Sequence, residues 1–90
     1  MNPADREHLR LSLLRFLAEN PTRWGFNAAL LLQMARNEGQ RAANREDIVA
    51  ELEYLADKKL VAPVQKQISP ENRAWRITAE GRDHLAQIAE

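Results

Sequence analysis

The chain contains no cysteine. Disulfides, thiolate zinc sites and cysteine nucleophiles are excluded together, and the composition fits a reducing compartment. Glycine is scarce as well: the three present, at positions 25, 39 and 81, are isolated from one another, so no glycine-rich loop can cradle a phosphate. An excess of charge is missing too. Thirteen basic and thirteen acidic side chains cancel to a formal net charge of zero, leaving no overall field to draw the chain to nucleic acid or anionic lipid. Any such affinity has to come from local clustering. No apolar run approaches the roughly 18 residues of a membrane span, and "MNPADREHLR" is charged from Asp5 onward, so a soluble, intracellular protein is expected.

Signals for catalysis and metal binding are equally thin. Ser12 and Ser69 sit in no nucleophile-elbow motif, and His8 and His84 lie at opposite ends of the chain without metal-ligand spacing or a carboxylate motif. The sequence therefore predicts no enzyme, no metal site, no cofactor and no small-molecule ligand.

What is present is helical periodicity, in 90 residues whose 44% hydrophobic content suffices for one domain with one core. In "ADREHLRLSLLRFLAEN", Leu9, Leu13, Phe16 and Leu17 recur at the spacing of one helix face, which predicts a first helix from about Ala4 to Glu19, ended by Asn20 and Pro21. Leu11 and Leu14 fall on the far side of that wheel. The helix is therefore either sandwiched or part of a dimer surface. "PTRWGF" reads as a connector covered by Trp24, and Asn27 as the N-cap of a short, largely buried second helix stopping at Gly39. After the turn "QRAAN", Asn44 is placed to cap a third helix over about Arg45 to Lys58, with Ile48, Leu52 and Leu55 as its core stripe and Val49 and Ala56 at the margin. Its outward face holds Glu46, Asp47, Ala50, Glu53, Tyr54 and Asp57.

The period then drops to about two in "LVAPVQKQI", and "SPEN" supplies turn chemistry before "RAWRI", so a two-stranded hairpin is predicted. Pro63 argues for an edge position or a bulge in its first strand. An isolated hairpin is unstable in water, so Trp75 and Ile77 should lie on the helical core, against helices 1 and 3. Thr78 is the expected cap of a fourth helix, from about Ala79 to Ala89. Gly81 in its first turn costs about 1 kcal/mol against alanine and implies close backbone packing.

Helix, helix, turn, helix, hairpin, helix is the resulting order. "EDIVAELEYLADKKLV" followed by "RAWRITAEGRDHL", with a hairpin between, resembles the winged helix-turn-helix domain of bacterial regulators of the MarR, ArsR and PadR type, over about Asn27 to Leu85. In its small size and lack of an effector domain the chain looks most like the small winged-helix proteins of Mu-like prophages. That resemblance implies a mainly α fold with a small β-hairpin, a single winged-helix domain over residues 1–90, a place in the bacterial host cytoplasm, and a role as a phage-related transcriptional regulator or accessory DNA binder. Its implied partner is double-stranded DNA, with the third helix in the major groove and the wing on the adjacent backbone or minor groove. Carried over position by position, Asn44, Arg45, Glu46, Asp47 and Ala50 would face the groove, and Lys66, Gln67, Asn72 and Arg73 would lie on the wing.

Here the chain departs from the pattern. Recognition helices usually present basic or amide side chains to bases and phosphates, whereas four of the six outward residues of helix 3 are acidic. Glu46 and Asp47 have a plainer role as helix-capping acids, and Glu53 and Asp57 as a solvated face. Arg41, Arg45, Lys66 and Arg73 would gather on one edge and, with Asn44, are the candidate DNA-binding residues; their plainer reading is scattered solubilising charge. Leu11 and Leu14 are the candidate homodimer surface. The alternative function is a winged-helix protein-interaction module that binds no DNA and uses the acidic face of helix 3 or the apolar face of helix 1.

Overall fold

A computed structural model describes residues 2–20, 25–64 and 73–88. Its elements are α1 (Pro3–Glu19), β1 (Phe26–Asn27), α2 (Ala28–Asn37), α3 (Arg45–Asp57), β2 (Val61–Pro63), β3 (Ala74–Ile77) and α4 (Ala79–Ile88). The architecture is mainly helical with a small three-stranded antiparallel sheet. Among the described residues no helix is long and apolar enough to cross a membrane.

The helix starts follow local chemistry closely. Asn2 caps α1 by accepting from the Asp5 amide at 2.8 Å, and Pro3 occupies the first turn, where its missing N–H costs nothing. Asn27 caps α2 through the Leu30 amide at 2.8 Å. At α3 a full capping box forms: the Asp47 amide donates to Asn44 Oδ1 at 2.9 Å, and the Asn44 amide donates back to Asp47 Oδ2 at 3.0 Å. Thr78 begins α4, its Oγ1 accepting from the Gly81 amide at 3.0 Å.

The core stripe of α3, Ile48, Leu52 and Leu55, is buried as its spacing predicts, and Val49 and Ala56 pack at its edge. On α1 the buried set is wider than one stripe, because Leu14 joins Leu9, Leu13, Phe16 and Leu17. Of the two expectations for this helix, the structure takes the sandwiched one. α1 packs against α2, α3, α4 and β3, and Leu14 is only 2% exposed while Leu11 is half-buried. The second helix corrects its expectation in the other direction. Only Ala28, Leu31 and Ala35 of α2 are buried, and Leu30 is 41% exposed, so this helix is amphipathic where its apolar composition suggested burial.

β3 lies at the centre of the sheet, in the order β1-β3-β2. Val61, Ala62 and Pro63 oppose Ile77, Arg76 and Trp75 on one side, and Phe26 and Asn27 oppose Trp75 and Ala74 on the other. Pro63 thus falls on an edge strand, where its missing donor is tolerated. The two-residue β1 comes from the segment read as a plain connector. It is reached through Gly25, at φ +69°, where an added Cβ would stand 2.5 Å from the Trp75 carbonyl oxygen. Trp75 and Ile77 are buried; β3 packs on α1, and β2 on α3. The turn "SPEN" and Trp24 lie outside the described residues.

Candidate nucleic-acid interface

The segment from Glu38 to Asn44 joins α2 to α3 and is held from two sides. The Gln40 amide donates to the Ala35 carbonyl at 3.0 Å, and the Gln40 side chain donates to the buried Ser12 hydroxyl of α1 at 2.9 Å. Farther along, Arg36 in the last turn of α2 donates from Nε and Nη2 to the Ala43 carbonyl, at 3.2 and 3.1 Å. Arg15 of α1 reaches Glu38 at 2.5 Å. With the turn fastened this way, Arg41 and Arg45 stand exposed on either side of the Asn44 cap.

The sequence-derived candidates are therefore distributed unevenly. Arg41, Asn44 and Arg45 come together at one junction, whereas Arg73 stands exposed just ahead of β3, its guanidinium 5.7 Å from the Trp75 ring centroid. Lys66, with Gln67 and Asn72, lies outside the described residues. The Oδ1 of Asn44 accepts from the Asp47 amide, so this side chain is committed to capping α3. Asp47 is half-buried and bound into the capping box, so the plainer of its two readings holds. Glu46, Glu53 and Asp57 remain exposed on the outward face of α3, and between Glu46 and Glu53 the side chains of Val49 and Ala50 floor a shallow depression beside Arg45.

Sequence reasoning missed the ion pair that joins α1 to α3. Arg10 Nε donates to Glu51 Oε2 at 2.9 Å and Nη2 to Oε1 at 3.3 Å, while the guanidinium stacks 4.0 Å from the Tyr54 ring centroid. Glu51 is 5% exposed. The hydrogen bond to Glu51, with the charge of that carboxylate, raises the Arg10 pKa above its already high ordinary value, so the pair stays charged on the arginine side wherever the protein folds. A signal did exist: Glu51 follows Ile48 by three residues, on the flank of the core stripe, where a carboxylate needs a partner. Alongside this pair a groove opens between α1, the end of α3 and α4, over Leu11, Leu14 and Leu60. Two of the three most exposed large hydrophobic residues, Tyr54 and Ile88, meet in it.

Among the described residues no group of three or more His, Asp or Glu side chains is placed to hold a metal ion. In comparison with known proteins, no family model matches the chain and no curated protein matches it in sequence.

Proposed function

We propose that this chain is a non-enzymatic winged helix-turn-helix domain that binds double-stranded DNA through the N-terminal end of α3 and the β2–β3 hairpin. The observation that carries the reading is the sheet order β1-β3-β2, in which the second strand of the hairpin also pairs with a strand ahead of α2. A hairpin appended to three helices could move freely against them. Once β3 is zipped to β1, the hairpin and the α2–turn–α3 unit become one block able to address DNA together.

In this reading Arg41 and Arg45 neutralise phosphates at the helix end, and Arg73 does so from the hairpin, with Lys66 as its sequence-derived companion. Asn44 acts chiefly as a cap. Glu46 and Glu53 oppose the backbone along the rest of α3, so the approach is end-on, and a carboxylate that does reach a base edge suits cytosine N4. A phage-related regulator or accessory DNA binder of the bacterial cytoplasm is the role that fits the resemblance. The test is an NMR titration with random-sequence duplex at low salt. We expect shifts concentrated at Arg41–Asp47 and around Arg73; shifts confined to α1 and α4, or none with any duplex, would replace this reading with the protein-interaction module.

Two copies are proposed to pair beside α1, but not through a Leu11–Leu14 patch, since Leu14 is already covered within the chain. Pairing would rest on Leu11, Tyr54 and Ile88 around the groove. Sedimentation at micromolar concentration is expected to show a dimer that Leu11→Ser dissociates. A 10.3 kDa species at every concentration would remove the pairing.

A further inference from the structure

We infer that Arg36 is the positioning residue of the α2–α3 junction: its guanidinium sets where α3 begins, and so presents Arg41 and Arg45, without itself touching the ligand. The inference deepens the DNA-binding reading and rests on it for its functional consequence. Its structural basis is independent of DNA.

The Ala43 carbonyl is the last one before the Asn44 cap. Ala43 is 1% exposed, so water cannot readily serve that oxygen, and among the described residues its hydrogen-bond donors are the Nε and Nη2 groups of Arg36. Leaving a buried carbonyl unpaired costs more than the bond itself contributes. The turn would have to shift to expose that oxygen, and Asn44 would shift with it. The Asn44 side chain holds the Asp47 amide and the Asn44 carbonyl holds the Ile48 amide at 3.1 Å, so displacement at Ala43 passes directly into the first turn of α3. At the other end of the turn Gln40 is tied to Ser12. Arg41 lies between these two anchors, and Arg45 begins α3 immediately after the capped Asn44. Two side chains, Gln40 to α1 and Arg36 within the α2–α3 unit, thus fasten a turn whose backbone is closed by the Ala43 amide donating to the Gln40 carbonyl at 3.2 Å.

Arg36 is also an exposed cation near the proposed contact edge, so a direct phosphate contact is the competing explanation. Geometry offers a clean separation. Glutamine carries its amide Nε2 at the same distance along the side chain as arginine carries Nε, so Arg36→Gln keeps a donor for Ala43 while removing the charge. Arg36→Met keeps comparable bulk and removes both.

The experiment uses the full chain and measures two things on wild type, Arg36→Gln and Arg36→Met. Amide hydrogen exchange without DNA reads the junction directly. The Asp47 and Ile48 amides should exchange about tenfold faster in Arg36→Met, and close to the wild-type rate in Arg36→Gln, as expected from losing or keeping one buried hydrogen bond. Equal exchange in all three chains would overturn the inference. Binding to a random-sequence duplex across a salt series reads the consequence. Arg36→Gln should keep the wild-type affinity within about twofold and the same salt slope, while Arg36→Met weakens binding about tenfold. If both variants lose affinity equally and each salt slope falls by about 0.9, Arg36 is a phosphate contact and the positioning role is wrong. If the wild-type chain binds no duplex, the DNA reading fails alone, and the exchange rates still decide whether Arg36 fixes the junction. Should Arg36→Met not fold, Arg36→Ala, which also removes the donor, takes its place: faster exchange at Asp47 and Ile48 than in Arg36→Gln upholds the inference, and equal exchange overturns it.

Discussion

Lys59 adopts φ +64° one residue past the Lys58 cap of α3, and its amide bonds the Ala56 carbonyl while the Leu60 amide bonds that of Leu55, both at 2.9 Å. This is the paired closure of a helix that ordinarily recruits glycine, because a side chain is strained there. Lys59→Gly should therefore raise stability by about 0.5–1 kcal/mol, seen as a higher melting temperature; a lower one would mean that the lysine side chain contributes more than its backbone strain costs. Nothing in "DKKLV" distinguishes that position from its neighbours. Gly81 was legible, by contrast, because a glycine in a first helical turn asks for a reason, and the reason is that any Cβ there would collide with the Leu60 carbonyl. Glu51 falls between these cases. Its place beside the core stripe was visible, but its partner is 41 residues away, across a helix contact that periodicity does not specify. Arg10→Ala would strand this nearly buried carboxylate and should cost about 3 kcal/mol in urea unfolding. The Arg10 side chain is 28% exposed, so Glu51→Gln should cost less, since the guanidinium can turn toward water. The reverse order of the two losses would show that the Glu51 carboxylate does not depend on Arg10 for its stability in the fold.

At the scale of elements, capping chemistry made the helix starts readable: Asn27, Asn44 and Thr78 each bond the amide three residues on. The burial of α2 was not readable from "AALLLQMARN", since an apolar-rich ten-residue helix in a small domain can still turn one side to solvent. β1 escaped because two residues are too few to show a period, and its pairing depends on β3, nearly fifty positions later. The central strand is where these elements meet. Trp75 opposes Phe26 on one side and Pro63 on the other, and is 4% exposed. Truncating it removes the largest side chain of the sheet from the core and should cost roughly 3–5 kcal/mol, enough to unfold much of a domain of marginal stability. Thermal unfolding of Trp75→Ala is the measurement. A melting temperature equal to the parent's would mean that the hairpin contributes nothing to the packed core.

Over the whole molecule, a net charge of zero makes the DNA reading quantitative. The longest dimension is 33 Å, close to the roughly 34 Å of one turn of B-DNA, so one copy can span only a few phosphates on one face. Arg41, Arg45 and Arg73, with Lys66 from the sequence, offer about four contacts, and each neutralised phosphate contributes about −0.9 to the slope of log affinity against log salt. The expected slope is therefore about −3 to −4, with non-specific dissociation constants of about 10⁻⁴ M or weaker at physiological salt. The acids of α3 act in the opposite sense. Glu53 is exposed and lies two turns beyond Arg45 on that helix, so it repels phosphate without holding any core contact, and Glu53→Gln should leave affinity equal or raise it. Arg45→Ala should weaken binding and make the slope shallower by about one unit. The two substitutions together separate the readings at the level of the molecule: a DNA edge at the start of α3 requires opposite responses to losing a cation and losing an anion. A protein-interaction module built on the acidic face would instead lose its partner with Glu53→Gln and be indifferent to Arg45→Ala.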